Sequence, residues 1–176
     1  MPRAPSGNIW IDIFHDLQMT ELEQSYGKTW VLQFRYDLED SLTQEHRYNG
    51  WKISQTTIHG SFTCPGCQHF WNSGRVSLIF HYCLGRTRRA TVLLRPFGQM
   101  CRDCDNNSFI KPTFREETVE RVLENLILKI KKNCYGEYIA TIRPDRNRNL
   151  PRTKPHERDL CEACDSGVCN KESDVA

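Results

Sequence analysis

Nine cysteines stand in a chain of 176 residues, and their spacing says more than their number. Cys64-Pro-Gly-Cys67 and Cys101-Arg-Asp-Cys104 are two C-x2-C pairs separated by residues 68–100. Two residues between cysteines let a tight turn aim both sulfurs at one point. Thiolates held about 2.3 Å from Zn²⁺ then need a second such pair to close a tetrahedron. Two C-x2-C pairs flanking a long hairpin-like stretch carry the ligand spacing of a zinc ribbon. Gly66 suits the turn between the first two ligands, where backbone N–H groups can face the sulfurs and stabilise thiolates. Further on, His156-x4-Cys161-x2-Cys164-x4-Cys169 supplies one imidazole and three thiolates, enough for a second closed site. Spacing alone equally allows Cys161 and Cys164 to complete a site begun by an earlier pair, with His156 a solvated side chain. His81, between the two C-x2-C pairs, is a further candidate ligand, although a strand histidine is more often packed or hydrogen-bonded. Cys83 and Cys134 stand alone and read as buried or incidental thiols.

Redox context favours metal over disulfides. The first thirty residues hold no basic start followed by an apolar stretch and a small-residue cleavage site, and no window approaches 18 consecutive apolar residues. Nothing therefore directs the chain to an oxidising compartment, where cysteines would pair. A cytoplasmic location is the expectation. A zinc ion with a full set of thiolates has no open coordination position, so one or two structural Zn²⁺ ions are expected rather than a catalytic one. GxxxxGK[ST], HExxH, GxGxxG and the zinc-deaminase signature are all missing. The chain is expected not to be an enzyme.

The elements that would position these ligands are legible in outline. Trp10, Ile13, Phe14 and Leu17 recur at i, i+3, i+4, i+7, which predicts an amphipathic helix over 9–24 with Ser6 or Asn8 as its cap. A strand follows from Trp30, then polar residues over 37–50. A second strand, Thr56 to Phe62, leads into Cys64. The run Val76–Cys83, a turn Gly85–Arg89 and the run Thr91–Phe97 form a hairpin bracketed by the two C-x2-C pairs. A helix is predicted over 113–133, with Thr113 and Glu116 as a capping box, Val119, Val122, Leu123, Leu126 and Ile130 as its apolar face, and Gly136 as its end. Tyr135–Ile142 reads as a last strand. The sequence thus implies an α+β fold: a small antiparallel sheet with a zinc-ribbon-like hairpin, an N-terminal and a central amphipathic helix, and a zinc-bound cysteine tail. The expected divisions are a core over 1–142, a basic linker over 143–154 and a cysteine-rich tail over 155–176.

Composition and charge narrow the class further. Apolar residues make up 38% of the chain, below the usual range of about 45–50%, so the core is lean. Net charge is +2 but uneven: residues 1–50 hold four basic and eight acidic side chains, residues 51–176 twenty and fourteen. Six arginines and no acid lie between Arg75 and Arg102. Arg75, Arg86, Arg88, Arg89 and Arg95, interleaved with Phe80, Tyr82 and Phe97, are candidate contacts for RNA or another partner, through phosphate pairing and base stacking. The competing reading is a soluble hairpin tip with aromatic core residues behind it.

The order Gly60-x-Phe62-x-Cys64-x-x-Cys67-x3-Trp71-x-Ser73, then Val76 through Phe80-His81, Phe97-Gly-Gln99-x-Cys101-x-x-Cys104, Pro112-x-Phe114 and the helix to Tyr135-Gly136 resembles the three-CxxC zinc-finger domain of the receptor-transporting proteins. The tail CEACDSGVC, with His156 before it, is similar to that family's third CxxC and its flanking cysteine. The resemblance covers nearly the whole chain. It implies that Cys64, Cys67, Cys101, Cys104, Cys161 and Cys164 are zinc ligands, with His156 and Cys169 as additional ones. It also implies a chaperone-like accessory protein that binds G-protein-coupled receptors, such as odorant or taste receptors, or their trafficking machinery, and promotes their targeting to the cell membrane. The alternative it offers is an interferon-responsive, RNA-binding antiviral member. Typical members continue into a C-terminal transmembrane helix. This chain shows none, so the expected membrane association is peripheral, at the cytosolic face of the endoplasmic reticulum or plasma membrane, or lost.

Overall fold

The computed structural model describes residues 4–105, 107–140 and 155–169. They fall into two compact units, each described by itself. The first draws on Met1–Ser54, Ile79–Arg95 and Arg115–Asn147, the second on Gln55–Leu78, Pro96–Phe114 and Arg148–Ala176.

The elements run α1 (Ile9–Gln18), a π-helical turn (Met19–Glu23), α2 (Gln24–Tyr26), β1 (Thr29–Phe34), α3 (Gln44–Tyr48), β2 (Lys52–Thr63), β3 (Phe70–Cys83), β4 (Arg89–Pro96), α4 (Glu116–Tyr135), a 3₁₀ turn (Arg158–Leu160) and α5 (Glu162–Asp165). The four strands form one sheet in the order β1-β4-β3-β2. Connections of six residues or fewer join β2 to β3 and β3 to β4, and such short links only join antiparallel neighbours. β1 is different. It pairs with β4 in parallel, from Thr29 opposite Arg89 to Phe34 opposite Leu94. The α+β class holds, but the sheet is mixed rather than wholly antiparallel. The long route from β1 through β2 and β3 to β4 leaves its direction free of any hairpin constraint.

The first unit has a conventional core. Asn8 caps α1, its Oδ1 accepting from the Trp10 and Ile11 N–H groups. Trp10, Phe14 and Leu22 bury one side of this helical stretch, and Val119, Val122, Leu123, Leu126, Ile127 and Ile130 bury one face of α4. The Trp10 and Phe80 rings meet at 6.4 Å between centroids. Trp30 donates its indole N–H to the Tyr135 hydroxyl over 3.0 Å. Gln18, fully buried, accepts the Trp30 backbone N–H at 2.9 Å and donates to Glu23 at 3.1 Å. It ties the end of α1 to the start of β1.

Several local expectations are corrected. The first helix continues past residue 24 through the π turn to Tyr26. The polar stretch 37–50 contains α3, capped by the Thr43 side chain on His46 N–H. Thr113 forms no capping box: its backbone exchanges hydrogen bonds with Ser61 at 2.8 and 2.9 Å, within the second unit. Cross-strand pairing claims that residue, and α4 starts at Glu116 without a side-chain cap. The helix runs to Tyr135, where Gly136 ends it at φ 67°. Residues 136–140 form no strand. Ile142 and the basic linker over 143–154 lie outside the described residues.

Replacing Gln18 with Met keeps length but leaves the Trp30 N–H buried and unpaired, a cost of about 1–3 kcal/mol. Urea denaturation followed by tryptophan fluorescence should show a lower midpoint with an unchanged slope.

Candidate metal centres

Both clusters of candidate ligands lie in the second unit. The β2–β3 connection presents the first pair. Cys64 N–H donates to the His69 carbonyl and Gln68 N–H to the Cys64 carbonyl, each over 2.9 Å. Gln68 takes φ 62°, a left-handed conformation uncommon outside glycine, to close this tight turn. Cys101 and Cys104 follow the sheet after Phe97, whose N–H still bonds the Ser77 carbonyl. The four sulfurs converge, with Cys64 Sγ 3.4 Å from Cys104 Sγ and Cys67 Sγ 3.6 Å from Cys101 Sγ. All four lie within 4.8 Å of one another. A tetrahedron with Zn–S bonds of about 2.3 Å has sulfur–sulfur edges of about 3.8 Å, so the cage fits that ion.

The tail builds its own set. Cys161 precedes α5, Asp165 N–H closes onto the Cys161 carbonyl at 3.0 Å, and the N–H groups of Val168 and Cys169 both fold back onto the Ala163 carbonyl. His156 Nε2 comes within 3.2 Å of Cys164 Sγ and 3.6 Å of Cys169 Sγ. The donor atoms of His156, Cys161, Cys164 and Cys169 also lie within 4.8 Å of one another. Cys161 and Cys164 therefore gather with His156 and Cys169, not with an earlier pair.

What docks the tail was not legible in the sequence. Gln99 forms bridges to both Ile110 and Cys161. Met100 N–H donates to the Leu160 carbonyl at 2.8 Å, Glu162 N–H to the Gly98 carbonyl at 3.1 Å, and Gly98 N–H to the Glu162 carboxylate at 2.6 Å. Gly98 is required by close approach, because a Cβ there would sit 2.6 Å from the Ile110 carbonyl oxygen. Arg102 and Glu157 form an ion pair beside this ladder. Gln99 and Glu162 stand within the quoted motifs, but nothing in their type or spacing announces this docking role.

The two sets differ electrostatically. Backbone N–H groups of Cys67 and Gly66 point at the Cys64 sulfur and pull its thiol down to about 6, the arrangement that favours a thiolate. Cys67 itself is pushed up, a lowering backbone hydrogen bond at His69 being outweighed by burial and by hydrogen bonds to Cys101 and Cys64. Burial pushes Cys161 up, and burial together with a hydrogen bond to Cys169 pushes Cys164 up to about 12. Among the remaining candidates, His81 is buried and its Nε2 lies 2.9 Å from the Glu39 carbonyl, in neither set. Cys83 and Cys134 are also outside both sets, and burial pushes Cys134 up to about 11.

Arg75 belongs to the second unit, while Arg86, Arg88 and Arg89 form an exposed turn in the first. Arg95 donates to the Leu38 carbonyl over 2.7 Å. Phe80, Tyr82 and Phe97 are no more than 2% exposed, so none offers a face to a base.

Comparison with known proteins decides the family. Residues 57–167 match the zinc ribbon with three CxxC motifs, described as a zinc-binding domain. The chain belongs to this three-CxxC zinc-ribbon family, that of the receptor-transporting proteins. It is 34% identical to human receptor-transporting protein 1 over 177 residues, 96% of this chain and 62% of that protein. Identity to human receptor-transporting protein 4 is 31% over 92% of this chain and 64% of that protein, and to mouse receptor-transporting protein 3 it is 34% over 68% and 26%. The chain thus spans less than two thirds of the length of these relatives. No solved structure matches. Two convergent sets of sulfur and imidazole donors in a zinc-binding family make structural zinc the cofactor. No helix among the described residues is long and apolar enough to cross a membrane.

Protons compete with metal for thiolates, so the tail set, where Cys161 and Cys164 are both raised, should empty at higher pH than the first set, where the Cys64 thiol is depressed. Acidifying the zinc-loaded chain from pH 7.5 under native mass spectrometry should release one ion before the other. The Cys161→Ser/Cys164→Ser variant should lack the first ion released.

Proposed function

We propose that this protein is a zinc-held accessory adaptor that binds G-protein-coupled receptors, such as odorant or taste receptors, or their trafficking machinery, and promotes their delivery to the cell membrane. Cys64, Cys67, Cys101 and Cys104 hold one Zn²⁺. His156, Cys161, Cys164 and Cys169 hold a second. Each set supplies four protein donors, which leaves no position for substrate or activated water and supports a structural role rather than catalysis. The observation that carries the reading is the convergence of both donor sets in a chain similar along nearly its whole length to receptor-transporting proteins. The proposed place of action is the cytosolic face of the endoplasmic reticulum or plasma membrane. The RNA-binding alternative is left with the exposed Arg86, Arg88 and Arg89 turn, since the aromatic residues that would stack on bases are core.

Purified chain should carry two zinc ions, and Cys161→Ser/Cys164→Ser one, by elemental analysis. Co-expression with an odorant receptor should raise surface receptor counted by flow cytometry, and the double variant should lose most of that gain. Unchanged receptor delivery by the intact chain overturns the adaptor reading.

A further inference from the structure

The second unit holds a cleft of about 360 Å³ that extends from His156, a donor of the second set, to the Phe70–Ser73 end of β3. It exists because two segments part company. β4 ends at Pro96 and Phe97 N–H makes a last backbone bond to Ser77, yet β3 continues down to Phe70. Residues 98–101 turn away to pair with Ile110, Leu160 and Cys161. The gap is spanned by side chains instead. Trp71 donates its indole N–H to Gln99 Oε1 at 2.9 Å, and Gln99 Nε2 donates to Ser73 Oγ at 2.8 Å. The Trp71 ring is itself held flat against Phe62 and His69, at 5.2 and 5.5 Å between centroids.

The lining states what kind of molecule fits. Phe70, Met100 and Leu160 contribute apolar surface, and Phe70 is 56% exposed. An aromatic ring left so open beside a cleft is surface that a partner can cover. The cations along the cleft are already matched: Arg102 pairs with Glu157, and His69 Nδ1 lies 3.1 Å from Asp103. A polyanion would have to break those pairs, so charge disfavours nucleic acid and favours a neutral chain. Two hydrogen-bond donors remain. Asn72 Oδ1 accepts from Ser61, but its amide N–H₂ donates to no described residue. The Ser73 oxygen accepts from Gln99 and from Arg75 N–H, while its own proton goes to no described acceptor. Backbone carbonyls of an extended peptide are the natural acceptors for such donors, as in strand-like peptide recognition generally.

We propose that the cleft between the Phe70–Ser73 end of β3 and residues 99–102 binds an extended, uncharged polypeptide segment, seating its apolar side chains against Phe70, Met100 and Leu160. It rests on the adaptor reading only for whose polypeptide this is. The binding itself stands on the geometry of the cleft.

The test uses the full zinc-loaded chain, labelled with ¹⁵N, titrated with the acetylated peptide GSLSFSG, whose Leu and Phe share one face when extended. The Trp71 indole N–H and the amides of 69–73 and 99–102 should shift saturably. Phe70→Ser and Met100→Gln should each weaken binding at least fivefold with two zinc ions retained, while Tyr138→Ser, at an exposed position in the other unit, should not. Absence of saturable shifts at millimolar peptide, an equal response to GSSSSSG, or full binding by both cleft variants overturns the proposal. Saturable shifts of these groups with hexauridylate and none with GSLSFSG overturn it in favour of nucleic acid. Receptor delivery separates the two readings. Equal delivery by the wild type and Phe70→Ser overturns a client role for the cleft and leaves the adaptor reading intact. Peptide binding by a wild-type chain whose expression leaves receptor delivery unchanged supports the cleft and overturns the adaptor.

Discussion

The extended segment Gly98–Cys101 is the part of the second unit on which its other contacts depend. Its backbone bonds Ile110 on one side and the tail at Leu160 and Glu162 on the other. The Gln99 side chain meanwhile holds Trp71 and Ser73 of β3. Cys101, a donor of the first set, ends the segment, and Cys161, a donor of the second, forms a bridge to Gln99. Both sets are thus built outward from one short ladder. Gly98 is its tightest point, where the Ile110 carbonyl leaves no room for a side chain.

The two units reach order by different means. The first buries Trp10, Phe14, Leu22 and Trp30 together with one face of α4, with Gln18, Asn133 and Tyr135 hydrogen-bonded to the Trp30 backbone N–H, the Tyr82 hydroxyl and the Trp30 indole N–H. The second contains the sulfur-rich turns, short bridges and a four-residue helix, none of which would persist alone in water. A structural zinc ion contributes about 10–16 kcal/mol of binding free energy in small metal-dependent domains, far more than any single side-chain contact there. That difference explains how a chain with a lean apolar content can still hold a long tail in place.

The run from Arg75 to Arg102 reads as one basic field, yet Arg95 is occupied with a backbone carbonyl and Arg102 with Glu157. Phe80 and Tyr82 lie on β3 and Phe97 just past β4, all buried, so they serve the core. The capping box failed for a related reason. Thr113 and Glu116 have the right spacing, but Ser61, fifty-two positions earlier, takes the Thr113 backbone first.

The sequence by itself determined the donor types, their pairing into tight turns, the two long helices and the hairpin between the first two cysteine pairs. These depend on local geometry: two residues between sulfurs, a 3.6-residue period, and a short link between strands. Only the tertiary structure decided that His156 and Cys169 join Cys161 and Cys164, that β1 runs parallel to β4, and that Gln99 and Glu162 dock the tail. The first was one of two groupings that spacing allowed; the other two rest on groups meeting across tens of residues. Such meetings leave no periodicity or spacing in the chain, because any residue type can supply the N–H and the carbonyl that make them.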